Sequence, residues 1–101
     1  MRTSQKKSKQ LKNSRQLERH FKGVANHWRV DILLVIAQEP GITVEELSDR
    51  LHGNMKTISE HTRRLVQAGL ITKTYQGRLV AHALSPYGDL FYRFITTFQH
   101  S

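Results

Sequence analysis

Between Thr43 and Leu84 the chain reads TVEELSDRLHGNMKTISEHTRRLVQAGLITKTYQGRLVAHAL, and few folds accommodate that order of signals. Thr43 with Glu46 three residues on is a capping-box pattern, in which each side chain satisfies a free backbone N–H of the other. A helix therefore starts at Thr43 and is predicted to end near His52, with Gly53 as the residue just past its C-terminus. Asn54 then serves as N-cap of a helix over Met55 to Ala68, whose Ile58, Thr62, Leu65 and Val66 form an inward stripe. The turn between the two helices has almost no spare residues. Gly69 closes the second helix, Leu70 to Tyr75 alternates as a strand, Gln76-Gly77 turns, and Arg78 to Leu84 returns as the partner strand. Two short helices across a tight turn, followed by a hairpin with a basic tip, outline a winged helix-turn-helix: mainly α, with a small β-hairpin.

The flanking segments supply a core for that unit. Leu17, Phe21, Val24 and Trp28 fall on one face of an amphipathic helix predicted to break near Asn26. A second helix, with Val30, Ile32, Leu33, Leu34, Val35 and Ile36, is apolar nearly all round and has to be buried on most sides. Pro40-Gly41 ends it. Ser85-Pro86 supplies an N-cap and an N1 proline for a final helix over residues 86–99. Residues 1–13 are polar, rich in Lys, Ser and Gln and without periodic apolar positions, and are expected to form a disordered basic arm on a single domain of residues 14–101.

Charge is distributed as unevenly as hydropathy. Residues 1–22 hold eight basic residues against Glu18 alone, a net of +7, while the other 79 residues carry +1 of the formal total of +8. A basic arm on a nearly neutral body points to a polyanion, and nucleic acid fits better than membrane because no apolar stripe accompanies the first dozen residues. No cysteine is present, which excludes disulfides, thiolate metal sites and thiol catalysis. No secretory signal or membrane span is legible, and cytoplasmic, nucleoid-associated residence is the expectation. No catalytic triad, phosphate-cradling glycine loop, catalytic carboxylate pair or metal triad can be assembled, so neither an enzyme nor a cofactor is expected. His20, His27, His52, His61, His82 and His100 show no close pairing at helical spacing, and no metal is expected either.

Phe21 to Ala37, Thr43 to Leu47, Thr57-Ile58-Ser59-Glu60-His61, Ala68-Gly69-Leu70-Ile71 and Gly77-Arg78 form an ordered series. That series resembles the winged-helix transcription regulators of the arsenical-repressor (ArsR) type, over about residues 16–85. The segment Leu84-Ser85-Pro86-Tyr87-Gly88-Asp89-Leu90 is similar to the strand-to-helix junction of MarR- and HxlR-type winged helices. The resemblance implies a dimeric, sequence-specific transcription regulator of double-stranded DNA, a repressor by expectation, in which the Met55–Ala68 helix reads the major groove. The positions it implies at DNA are Lys56, Thr57, Ser59, Glu60, His61 and Arg64, with Arg78 at the wing tip. Asn54, Arg63 and Lys73 join them as candidate phosphate or surface contacts. Two positions depart from the pattern: Glu60 places a carboxylate near phosphates unless it accepts from a cytosine amino group, and Thr62 stands where Leu is expected.

Tyr87, Leu90, Phe91, Phe94, Ile95 and Phe98 give the final helix an apolar stripe too wide for this core to cover. With help from Leu17 and Phe21 it is expected to pair with a second protomer. Two further readings stay open: an architectural nucleic-acid binder driven by the basic arm, and a winged helix used for protein contacts.

Overall fold

The computed structural model describes residues 11–101, so the expected arm lies outside the described residues up to residue 10. Five helices and one hairpin follow: α1 (Ser14–Val24), α2 (His27–Gln38), α3 (Val44–Leu51), α4 (Met55–Gln67), β1 (Ile71–Gln76), β2 (Leu79–Leu84) and α5 (Pro86–Gln99). This is a winged helix-turn-helix.

Each helix begins where a short polar side chain satisfies its free N–H groups. Asn13 and Gln16 cap α1 reciprocally, and Thr43 and Glu46 do the same for α3. The Asn54 carboxamide oxygen accepts from the Lys56 and Thr57 amides at 2.8 and 3.2 Å. Such caps are worth about 1 kcal/mol each. The Asn26 side chain accepts from the Trp28 and Arg29 amides, so the run from Leu17 to Trp28 becomes two helices instead of one bent helix.

Helix α2 is the element that all others cover. Ile32, Leu33 and Ile36 are completely buried, and α1, α3, α4, α5 and β2 all pack against the helix. Ile58 and Leu65 of α4 enter the same core with Leu47, Leu70 and Ile71. Burying such a side chain contributes about 1.5–3 kcal/mol, which makes this contact set the main source of cohesion. Thr62 is accommodated on the buried face because its hydroxyl donates to the Ile58 carbonyl at 2.7 Å.

Three details differ from the sequence reading. The left-handed residue after α3 is His52 (φ 55, ψ 39), not Gly53. The following turn is latched by the Ser48 hydroxyl donating to the Gly53 carbonyl at 2.5 Å. The hairpin loop is Gly77-Arg78, one residue later than Gln76-Gly77, with Gly77 at φ 65 leading the loop, as a type II′ turn requires. Residue Ile42 forms an antiparallel bridge with His82, its carbonyl accepting the His82 amide at 3.1 Å while the Gly41 amide donates to the His82 carbonyl at 2.7 Å. The base of the wing is thereby tied to the loop between α2 and α3.

The wing and α5 meet at one junction. The Leu70 carbonyl accepts the Ser85 amide at 3.0 Å, and the Ser85 hydroxyl donates to the Gly69 carbonyl at 2.6 Å while accepting from the Gly88 amide. A Cβ at position 88 would collide with the Leu70 carbonyl oxygen, so only glycine lets α5 lie this close. No helix among the described residues is long and apolar enough to cross a membrane.

Two substitutions separate these constraints. His52→Gly removes the left-handed penalty of about 1 kcal/mol and is expected to raise the thermal midpoint by a few degrees. Gly88→Ala overpacks the junction and is expected to cost about 1–3 kcal/mol. Thermal unfolding followed by circular dichroism checks both, and a midpoint lowered by His52→Gly would contradict the first.

Candidate nucleic-acid interface

Helical geometry sorts the side chains of α4 into three tracks. Opposite the buried Ile58, Thr62 and Leu65 lie Lys56, Glu60 and Gln67. Toward the wing lie Ser59 and Arg63, which share a groove with Lys73, Tyr75 and Val80. Toward α2 lie Thr57, His61 and Arg64. Seven of the ten candidate DNA-contacting residues thus lie on α4, with Asn54 committed to its cap and Lys73 and Arg78 on the wing. The wing folds back so that Arg78 and Leu79 face Glu45 of α3 and Met55 and Ser59 of α4 across a second groove.

Glu60 organises the outward face. One of its carboxylate oxygens accepts from Arg63 Nη2 at 2.6 Å and from Arg64 Nε at 3.2 Å. The hydrogen bond from Arg63, reinforced by Arg64, holds the carboxyl below its ordinary pKa. Both arginines are thereby held against α4 by a group that phosphate would have to displace, which gives the unexpected carboxylate a definite partner set.

His61 is shaped by its surroundings in the opposite sense. Its Nδ1 is enclosed without a hydrogen-bond partner, and burial, with added repulsion from Arg29, Arg64 and His27, lowers its pKa from the ordinary value of 6.5. Arg29 was not legible as part of this face from sequence; the only hint was its place in the first turn after the Asn26 cap. Tyr75 and Leu79, at 65% and 60% exposure, were missed as well, because strand alternation alone does not tell which face of a two-stranded wing meets solvent.

The stripe on α5 is divided. Phe91 and Ile95 pack against the core, whereas Leu90, Phe94 and Phe98 are 58–64% exposed and Leu17, Phe21 and Tyr87 are exposed beside them. Phe21 meets Phe91 edge-on at 5.5 Å, and Phe94 stacks on Phe98 at 5.5 Å. Tyr87 lies 5.1 Å from the buried His20 ring, and Lys12 Nζ sits over the Tyr87 ring at 4.1 Å from its centroid. Trp28 packs partly buried against the core.

A model described as the MarR family matches residues 26–76, which spans the core helix, both helices of the helix-turn-helix and the first wing strand. Among solved structures, HlyU from Vibrio cholerae N16961 is 28% identical with a TM-score of 0.70, covering 82% of this chain and 95% of its own. Mb0332 from Mycobacterium bovis, described as a homodimeric winged helix-turn-helix DNA-binding domain and a possible ArsR-family regulator, is 23% identical with a TM-score of 0.71 over 97% of this chain and 84% of its own. FabT from Streptococcus pneumoniae, solved in complex with DNA, is 24% identical with a TM-score of 0.65 over 68% of this chain. The chain spans half the length of FabT and of the transcriptional regulator SlyA. No curated protein matches the sequence.

The environment of His61 makes a direct prediction. Its imidazole is expected to titrate below 6.5, and Arg29→Gln, which removes the strongest charge repulsion on it, is expected to move the midpoint upward. Because the folded pKa is depressed, protonation opposes folding, so this residue's contribution to stability falls as pH drops below 6.5. Proton NMR titration of the imidazole checks this, and a midpoint at or above 6.5 would contradict it.

Proposed function

The chain belongs to the MarR family, and from that premise we propose that it is a DNA-binding transcription regulator whose α4 enters the major groove as one half of a homodimer. The carrying observation is the outward face of α4, where Lys56 projects opposite the buried stripe, with Arg63 on the wing side and Arg64 on the α2 side, from a helix fixed by the Asn54 cap. Those cations suit phosphates and guanine edges, Thr57 and Ser59 can donate or accept, and Lys73 and Arg78 on the wing extend the contact along the duplex. FabT, which has the same fold, is solved in complex with DNA, and that supports DNA as the partner.

The apolar face supports the second half of the reading. Leu90, Phe94 and Phe98 with Leu17 and Phe21 leave aromatic surface open on the side formed by α1 and α5, and a second copy burying it would set two reading helices about 34 Å apart, one helical turn of the duplex. Mb0332, which the chain matches over 97% of its length, is described as homodimeric. That likeness and the ordered motifs also favour the ArsR-type plan within the broader superfamily, and repression is the regulatory sense proposed. Residues 1–13, as a basic arm, would add sequence-independent affinity.

Selection from a randomised duplex pool at about 150 mM salt, where nonspecific affinity is suppressed, tests the reading. An inverted repeat with half-sites about 10 base pairs apart is the expected product, whereas recovery without a motif favours an architectural binder and no recovery favours protein contacts. On the selected site, Thr57→Ala or Arg64→Ala is expected to cost about 1–3 kcal/mol. Glu60→Gln frees Arg63 and Arg64, and is expected to tighten binding to random duplex several-fold and to steepen the salt dependence by about 0.9 per arginine that gains a phosphate. Unchanged affinity in Glu60→Gln would show that the carboxylate does not restrain them.

A further inference from the structure

Beside the reading face, α1, α2 and α4 converge on a cleft of about 250 Å³ lined by Arg19, Lys22, Arg29, Arg64 and Gln67. Four cationic side chains from three helices meet there, and no carboxylate lines it. Glu18 engages Lys22 at 2.8 Å and Glu60 engages Arg64 at 3.2 Å, yet among the described residues Arg19 and Arg29 form no ion pair. The Nε of Arg29 is enclosed and lacks a hydrogen-bond partner.

Enclosing a guanidinium donor without an acceptor is unfavourable, and gathering like charges at one point adds to the cost. The field is felt by His61, which Arg29, Arg64 and His27 push toward its neutral form. Ala68, whose carbonyl accepts from His20 at 2.8 Å, lines the same cleft, yet no carbonyl accepts from the Arg29 Nε. What the cleft lacks is an anion with several acceptor oxygens in a small volume.

We propose that this cleft is an oxyanion-binding site that takes one phosphate group between Arg29, Arg19 and Arg64. A planar guanidinium presents paired donors that match two oxygens of a phosphate, and the remaining oxygens meet cations from the other two helices. The phosphate can come from the backbone of a bound duplex or from a free phosphate compound. In either case it ties α4 to α1 and α2, so occupancy of the cleft bears on how the reading helix is held.

Titration of the protein with inorganic phosphate, followed through the arginine Nε–H signals by ¹⁵N NMR at constant ionic strength and with chloride as control, tests the site. A saturable shift of the Arg29 signal, with the phosphate affinity read from the Arg19 and Arg64 signals weakened at least tenfold in Arg29→Lys, supports the proposal with free phosphate as the source. A shift produced only by a short duplex, with the salt slope of duplex binding reduced by about one in Arg29→Lys, supports it with the DNA backbone as the source. The double variant Arg19→Gln/Lys22→Gln, both on the exposed side of α1, repeats either comparison should Arg29→Lys lose its fold. An Arg29 signal that saturates with neither probe, or that follows chloride equally, overturns the proposal. Because the first arm uses no DNA, its outcome is separable from that of the DNA-binding reading.

Discussion

From Ile32 to Ala37 helix α2 carries only apolar side chains, and the rest of the molecule is arranged to cover them. Its fully buried Ile32, Leu33 and Ile36 are met by Leu47 from α3, Ile58 and Leu65 from α4, and Leu70 and Ile71 from the start of the wing. The burial fixes α3 and α4 relative to each other more firmly than their short turn could, and it determines which face of α4 is left outside. Once Ile58, Thr62 and Leu65 are committed inward, Lys56, Glu60, Arg63 and Arg64 have nowhere to go but out. The candidate interface follows from the core by elimination, and the direction of the apolar stripe carries that information in the sequence.

Local signals that act through the backbone were legible for the same reason. The caps at Thr43, Asn54 and Ser85 depend on side chains within three residues of the amides they satisfy, and each stands where the spacing predicts. Features that depend on distant partners were not legible. Gly53 looked like the left-handed residue on composition alone, yet His52 takes that conformation, while Gly53 sits so near Ile58 and Trp28 that a side chain there would crowd them. The bridge between Ile42 and His82 joins positions 40 residues apart, and nothing near either marks it. Arg29 joins the candidate interface only because α2 packs against α4, a tertiary fact with no periodicity to announce it.

The two surfaces differ in chemistry and in what holds them. The face of α4 is polar and braced internally by Glu60, whose ion pairs are exposed and individually weak, and so can be exchanged for phosphate contacts at small cost. The face formed by α1 and α5 is aromatic and has no such polar substitute; Leu90, Phe94 and Phe98 can lose their contact with water only by meeting another apolar surface. The Ser85 and Gly88 junction sets the angle at which α5 leaves the wing, and so couples the geometry of one face to that of the other. The Leu84–Leu90 segment was readable as a junction only by its likeness to a family pattern; the close approach of the Leu70 carbonyl to Gly88 is a tertiary contact that the residues alone do not announce.

The central claim is that α4 and the wing, and not another face, meet the duplex. Amide chemical-shift mapping of the whole chain with its selected duplex at about 150 mM salt, where loose electrostatic contacts are suppressed, addresses this directly. The account predicts that perturbations concentrate on residues 54–64 and on the wing around Lys73 and Arg78, with the Leu90, Phe94 and Phe98 face unaffected by DNA. Perturbations confined to residues 1–22, or centred on α5 with α4 silent, would contradict it.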